Sequence, residues 1–309
     1  RERYRLLCEL GSENDCLLRQ EVNFATPSKP VWQTEPPQYP QTQALPPWTP
    51  VQLDGLTARV WGRDYVFSET SPLPVQIRSQ EIPLLAAPMR FVSGDQAQVW
   101  RLSQAAKKND ACIRFDWEGA IAGQNCKAWS EVYFDGAVRF EVVLPEKMSL
   151  AELALEIPYR SDLARFIHRA PVMFGGIFTT YKTPDKAEYH PIRENVYVLD
   201  DDVGLCWFDG MRFDWPLKHD QQAIGLLPRA DSFVVRVNYI DHLVANSPER
   251  QFSFGLQAIP ARPMPEKEPA MRVCYVVKYG DENPHPHPAW RGTVDYLPHG
   301  NFQIEQGCI

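Results

Sequence analysis

Between residues 51 and 260 apolar and polar positions alternate in short runs, broken by Gly, Pro, Asn and Asp. Val138, Phe140, Val142 and Leu144 fall on one side of a period-two pattern, with Arg139 and Glu141 on the other. Ala111, Ile113, Phe115 and Trp117 form a second such stripe, opposite Arg114 and Asp116. Phe252, Phe254, Leu256 and Ala258 form a third, and Phe233, Val235, Val237 and Tyr239 a fourth. Further predicted strands cover residues 56–67, 82–92, 96–102, 129–134, 150–157, 172–181, 196–199 and 205–208. Asp135-Gly136 between two alternating runs predicts a hairpin, because the pair tolerates the positive φ of a tight turn. One short helix is predicted where Ser161-Asp162 precedes LARFIHR, a cap followed by one apolar face. Strands dominate, at hairpin spacing and without β-α alternation. The fold class expected is therefore mainly β: a large antiparallel β-sandwich with one short helix and extended proline-rich N- and C-terminal arms.

The flanks break this pattern. Residues 26–50 hold eight prolines among Gln and Thr, with Trp32, Tyr39 and Trp48 interspersed. Proline lacks the N–H that helices and central strands need, so the stretch reads as an extended, largely polyproline II arm. Residues 261–309 are again proline-broken around one predicted strand, 271–279. The expected organisation is an N-terminal segment and arm over 1–50, a sandwich over 51–266, and a linker and tail over 267–309.

The 309 residues carry 39 acids against 32 bases, a net charge of −7. No basic run exceeds Lys107-Lys108, so a nucleic-acid partner is not expected. No stretch approaches the roughly 20 apolar residues of a membrane span. Residues 1–10 alternate charge and apolar character, unlike a signal peptide, and the chain starts at Arg1, as a processed product or a fragment would. Seven scattered cysteines show no CxxC spacing. Local bridges Cys8–Cys16 and Cys112–Cys126 are open to them, while buried free thiols are the plainer reading.

Motifs with built-in chemistry are missing: no GxGxxG, P-loop, GxSxG or HExxH. His285, His287 and His299 lack a spacing that fixes a third ligand, so a solvated loop is favoured over a metal site. Asp200, Asp201 and Asp202 suit calcium by chemistry, yet three consecutive acids cannot converge on one ion, which favours a solvated turn. Carboxylate pairs for glycosidic chemistry, such as Asp209 with Asp214 or Asp116 with Glu118, exist without anything selecting one. No cofactor and no metal are expected. Trp207, Phe208, Phe213 and Trp215 are more distinctive, since aromatic faces fill cores and also stack on sugar rings.

Four ordered stretches resemble a known group. The first runs from Trp48-Thr49-Pro50 through VWGRDYVF to LPVQIRSQEIPLLAAPMRF. VYFDGAVRFEVVL with LALEIPYRSDLARFIHR follows, then NVYVLDDDVGLCWFDGMRFDW, then FSFGLQAIPARPMP. Together they are similar to the N-terminal β-sandwich region of glycoside-hydrolase-like proteins, relatives of the β-N-acetylgalactosaminidase type. The resemblance implies a sandwich followed by a (β/α)₈ barrel carrying the catalytic acids. A barrel needs about 250 residues, far more than follow Glu266, so its absence from this chain is expected and no catalytic residue is carried over. Whether the chain is an enzyme is left open.

Three functional readings follow. The first is a non-catalytic sandwich of a carbohydrate-active protein, packing on a catalytic domain or binding glycan through Trp207, Trp215, Trp61 and Tyr65. The second is a structural or assembly protein whose arms contact neighbouring subunits or a second copy. The third is a self-sufficient hydrolase or lyase with acids on a sandwich face. The resemblance implies an extracellular or periplasmic setting.

Overall fold

The computed structural model describes residues 3–11, 16–25, 42–94, 98–171, 179–191, 194–209, 215–245, 249–262, 272–278, 295–296 and 301–308. The chain divides into two compact units, Arg1–Gln43 and Ala44–Ile309. In the first, strands Arg3–Gly11 and Cys16–Ala25 pair antiparallel, with Leu6 opposite Val22. Tyr4, Leu6 and Val22 are exposed there. The proline-rich stretch 26–41 lies outside the described residues.

The second unit is mainly antiparallel β, as the alternation predicts. Its largest sheet has nine strands in the spatial order Thr179–Lys182, Phe166–Pro171, Glu194–Leu199, Gly204–Phe208, Arg250–Ile259, Ala137–Leu144, Gln124–Tyr133, Cys112–Ile121 and Gln98–Asn109. One five-stranded sheet orders Glu188–His190, Ile224–Pro228, Ser232–Ile240, Leu153–Arg160 and Arg90–Val92. Another orders Gln52–Asp54, Thr57–Val60, Arg63–Ser68, Ser71–Ser79 and Ile82–Pro83. Towards the C-terminus, Arg272–Lys278, Asn301–Cys308 and Asp295–Tyr296 pair as a small sheet.

Both five-stranded sheets cover the same face of the nine-stranded one. Phe140 and Phe254 are cross-strand partners, stacked with centroids 4.8 Å apart. Phe140 meets Phe67 at 6.5 Å, and Phe254 meets Phe91 at 6.3 Å and Tyr239 at 6.0 Å. The result is a β-sandwich with one continuous core. Each large side chain so buried contributes about 1.5–3 kcal/mol.

A polar latch joins the five-stranded sheet of residues 52–83 to the end of the nine-stranded one. The buried Arg63 guanidinium donates to the carbonyls of Trp61 (3.1 Å), Ala258 (3.3 Å) and Ala261 (3.1 Å). Ser79 Oγ donates to Ile259 O at 2.6 Å, and Trp48 Nε1 to Ala261 O at 2.8 Å. Gly136, at φ +79°, closes the Asp135-Gly136 hairpin. A Cβ there would lie 2.2 Å from the Arg63 guanidinium, so both its dihedral and its closeness to Arg63 require glycine. Three of the four stretches that carry the family resemblance thus meet in space at this latch.

Two local expectations are corrected. The helix predicted after Ser161 does not form: residues 161–163 make a turn and Phe166–Pro171 is a strand. That segment pairs on both sides, with Glu194–Leu199 and Thr179–Lys182, and buries Ile167 in the core. Sheet pairing outweighs a weak amphipathic signal, and Pro171 disfavours α geometry at Ala170. The predicted strand over 56–67 is two strands, split by a turn at Trp61-Gly62, where Gly62 has φ +62°.

Candidate functional site

The outward face of the nine-stranded sheet, opposite the one packed on the five-stranded sheets, carries the chemistry. Period-two alternation sends every second residue outward, and the register sets these residues in rows. One row reads Arg114, Glu131, Arg139, Gly255, Phe208 across five adjacent strands. The next reads Asp116, Trp129, Glu141, Ser253. Opposite charges therefore face one another within and between rows, the arrangement that stabilises adjacent strands.

Trp129 anchors this lattice. Arg114 Cζ lies 4.3 Å and Arg139 Cζ 5.1 Å from its ring centroid, within cation–π range. Glu131 accepts from Tyr133 Oη (2.6 Å), Lys108 Nζ (3.2 Å) and Arg114 Nη1 (3.2 Å). Burial alone would raise its pKa, but these three donors hold it below the usual glutamate value.

Glu141 differs. It is only 1 % exposed, and Arg139 alone bonds it, through Oε1. Among the described residues no donor reaches Oε2. Burial raises its pKa, and the pull of Arg139 does not bring it back down.

Glu141 and Arg139 line a cavity of about 820 Å³ together with Tyr133, Gln251, Ser253, Phe208 and Trp215. That volume lies within the roughly 300–1,000 Å³ of small-molecule sites. The Phe208 ring sits close over Gly255, where an added Cβ would come within 2.2 Å of it. Trp215 closes another wall, packed on Tyr239 at 4.3 Å.

The predicted aromatic residues separate into two places. Trp207 and Trp215 come together, 6.3 Å apart edge to face. Trp207 is 2 % exposed and points into the core, so only Trp215 of the two reaches the cavity. Tyr65 is 0 % exposed. Its hydroxyl donates to Gly136 O (2.6 Å) and accepts from Ala258 N (3.1 Å), and burial pushes its pKa up to about 12. The expectation that Tyr65 and Trp207 stack on a sugar is corrected by this burial: neither presents a ring face to a ligand. Trp61, half-buried, lines a separate groove of about 820 Å³ with Arg59, Asp64, Arg78 and Glu81.

Other candidates resolve individually. Asp200 and Asp201 pair with Arg165. Asp116 bonds Arg114 at 2.9 Å. Asp209 is buried, whereas Asp214, His285, His287 and His299 lie outside the described residues. Cys112 and Cys126 are free and buried, because the register sets them opposite Tyr133 and Gly119 rather than each other. No three His, Cys, Asp or Glu side chains gather as a metal site among the described residues. No helix among those residues is long and apolar enough to cross a membrane.

Sequence reasoning placed Arg139 and Glu141 merely on the polar side of a strand. Three neighbouring strands each carry alternating charged or aromatic outward residues, and that was the available signal.

Residues 51–190 match the family model described as glycoside hydrolase 123, third domain, which bears out the resemblance to a glycoside-hydrolase-like sandwich; the match spans the first two of the four stretches, and the other two lie beyond it. The β-sandwich over those residues is thus similar to a domain of glycoside-hydrolase proteins. No curated protein matches it. Among solved structures, a candidate aldose 1-epimerase (b2544) from Escherichia coli K12 aligns at 10% identity and a TM-score of 0.41. That alignment covers 68% of this chain and 98% of the other. A copper-containing benzylamine oxidase from Hansenula polymorpha aligns at 9% identity and a TM-score of 0.40, covering 73% of this chain and 63% of the other. Likenesses this distant carry no functional meaning.

Proposed function

We propose that this chain is the non-catalytic sandwich part of a glycoside-hydrolase-like protein, and that it binds glycan on the outer face of its nine-stranded sheet. The observation that carries the reading is the cavity on that face, where an unsaturated carboxylate, an arginine and aromatic walls converge. Mostly apolar sites with a few converging polar groups take ligands whose hydroxyls need acceptors and whose C–H faces need rings. The family match supports the carbohydrate setting. In this reading the sandwich of residues 51–266 contains the site, and the protein works outside the cytoplasm, where polymeric glycans are found.

The test is calorimetric titration of the full chain with a panel of oligosaccharides. At least one is expected to bind, and Trp215→Ala is expected to weaken it about tenfold, the scale of one lost stacking contact. A panel without a ligand overturns the reading.

A further inference from the structure

The cavity has a charge balance that narrows its ligand. Its charged lining consists of Arg139 and Arg250 against Glu141 and Glu249, a formal sum of zero. Both arginines are already engaged within the protein, Arg139 with Glu141 and the Trp129 ring, and Arg250 with a partner of its own, so each positive charge is at least partly offset before a ligand arrives. The acceptor left over is Glu141 Oε2, on a residue 1 % exposed. A carboxylate accepts and cannot donate, so its complement is a hydroxyl or amide N–H. A ligand carboxylate or sulfate beside it would meet a like charge in a poorly solvated place, where repulsion is strong. Ser253, its direct cross-strand partner, and Gln251 add neutral hydrogen-bonding groups on the same wall. Phe208, packed over Gly255, supplies an apolar ring.

We infer that the cavity takes an uncharged pyranose unit whose hydroxyl donates to Glu141 and whose C–H face rests on Phe208, and that it rejects uronic and sulfated sugars. This rests on the glycan-binding reading above and specifies its ligand class. Glu141 is then the residue that sets specificity, and Arg139 positions it. The carboxylate must be both present and charged, because a charge-assisted hydrogen bond is about twice as strong as a neutral one.

The experiment compares neutral oligosaccharides (cello-, manno- and chito-hexaose, galactosyl oligomers) with oligogalacturonate and chondroitin sulfate by calorimetry at two salt concentrations. The proteins are the wild type, Glu141→Gln, Ser253→Trp and Trp61→Ala, each checked for folding by circular dichroism. A neutral oligomer is expected to bind independently of salt, about tenfold or more weakly to Glu141→Gln, undetectably to Ser253→Trp and unchanged to Trp61→Ala. Tighter, salt-sensitive binding of the anionic sugars, strengthened by Glu141→Gln, overturns the inference while glycan binding stands. Loss in Trp61→Ala with no change in the other two variants also overturns it, by moving the ligand to the other groove. Silence from every sugar overturns the broader reading instead. Ser253→Trp keeps the site testable even if Glu141→Gln does not fold.

Discussion

Two glutamates, each facing outward from one of the packed sheets, are both buried yet sit in opposite electrostatic states. Glu156 lies on Leu153–Arg160 of a five-stranded sheet and is 7 % exposed. Arg90 bonds its Oε2 from two nitrogens (2.9 and 2.6 Å), and Arg236 bonds its Oε1 at 2.8 Å. Burial alone would raise its pKa, but the arginines hold it below the usual glutamate value. Glu141, on the nine-stranded sheet, keeps one partner and a raised pKa. A buried carboxylate with both oxygens satisfied serves the fold. One with a free oxygen on a cavity wall is held at some cost to stability, the usual mark of a site that binds something.

The largest effect expected lies one residue from Glu141 on the same strand. Phe140→Ala opens a cavity between the long sheet and its cover and is expected to lose about 3–5 kcal/mol in urea unfolding. A loss under about 1 kcal/mol would mean that the inner and outer faces differ less than burial indicates.

Next comes Glu156→Ala, expected to lose about 2–3 kcal/mol at pH 7. The loss comes mainly from Arg236, since Arg90 is largely exposed and its pairing is screened. Because the folded pKa of Glu156 is depressed, its stabilisation is complete above the unfolded value of about 4.3 and fades as pH falls through the lower folded value. The gap between wild type and variant should therefore close on acidification.

The smallest effect is the sharpest test of the comparison. Glu141→Gln is expected to change stability at pH 7 by no more than about 0.5 kcal/mol, on the stabilising side. With a raised folded pKa, the wild-type carboxyl favours folding below about pH 4.3, and that contribution is lost as pH rises through the folded value. The variant should gain on the wild type as pH climbs, the reverse of the Glu156 series. Parallel pH trends for both variants would erase the distinction between the two acids.

Much of the architecture was legible from alternation alone. The stripe Val138, Phe140, Val142, Leu144 predicted a strand and its buried face, and Ala137–Leu144 is that strand. The stretch 161–169 was misread because a cap and an amphipathic run are local signals, while the two strands flanking Phe166–Pro171 come from residues 179–199. Of the site, Trp215 was named from sequence, and Trp207 and Tyr65 were named with it. Aromatic identity does not say which face of a sheet a ring occupies.

By itself the sequence determined the β class, the faces of the main strands, the Asp135-Gly136 hairpin and the family resemblance, because each rests on neighbours in the chain. Only the tertiary structure decided which face of the long sheet the five-stranded sheets pack on, that Arg63 reaches the carbonyls of Ala258 and Ala261, and that Glu141 stands beside Trp129 and Ser253. Those facts depend on strand order and register, which bring together residues as far apart as Glu141 and Ser253 or Arg63 and Ala258, and on the desolvation that only packing produces.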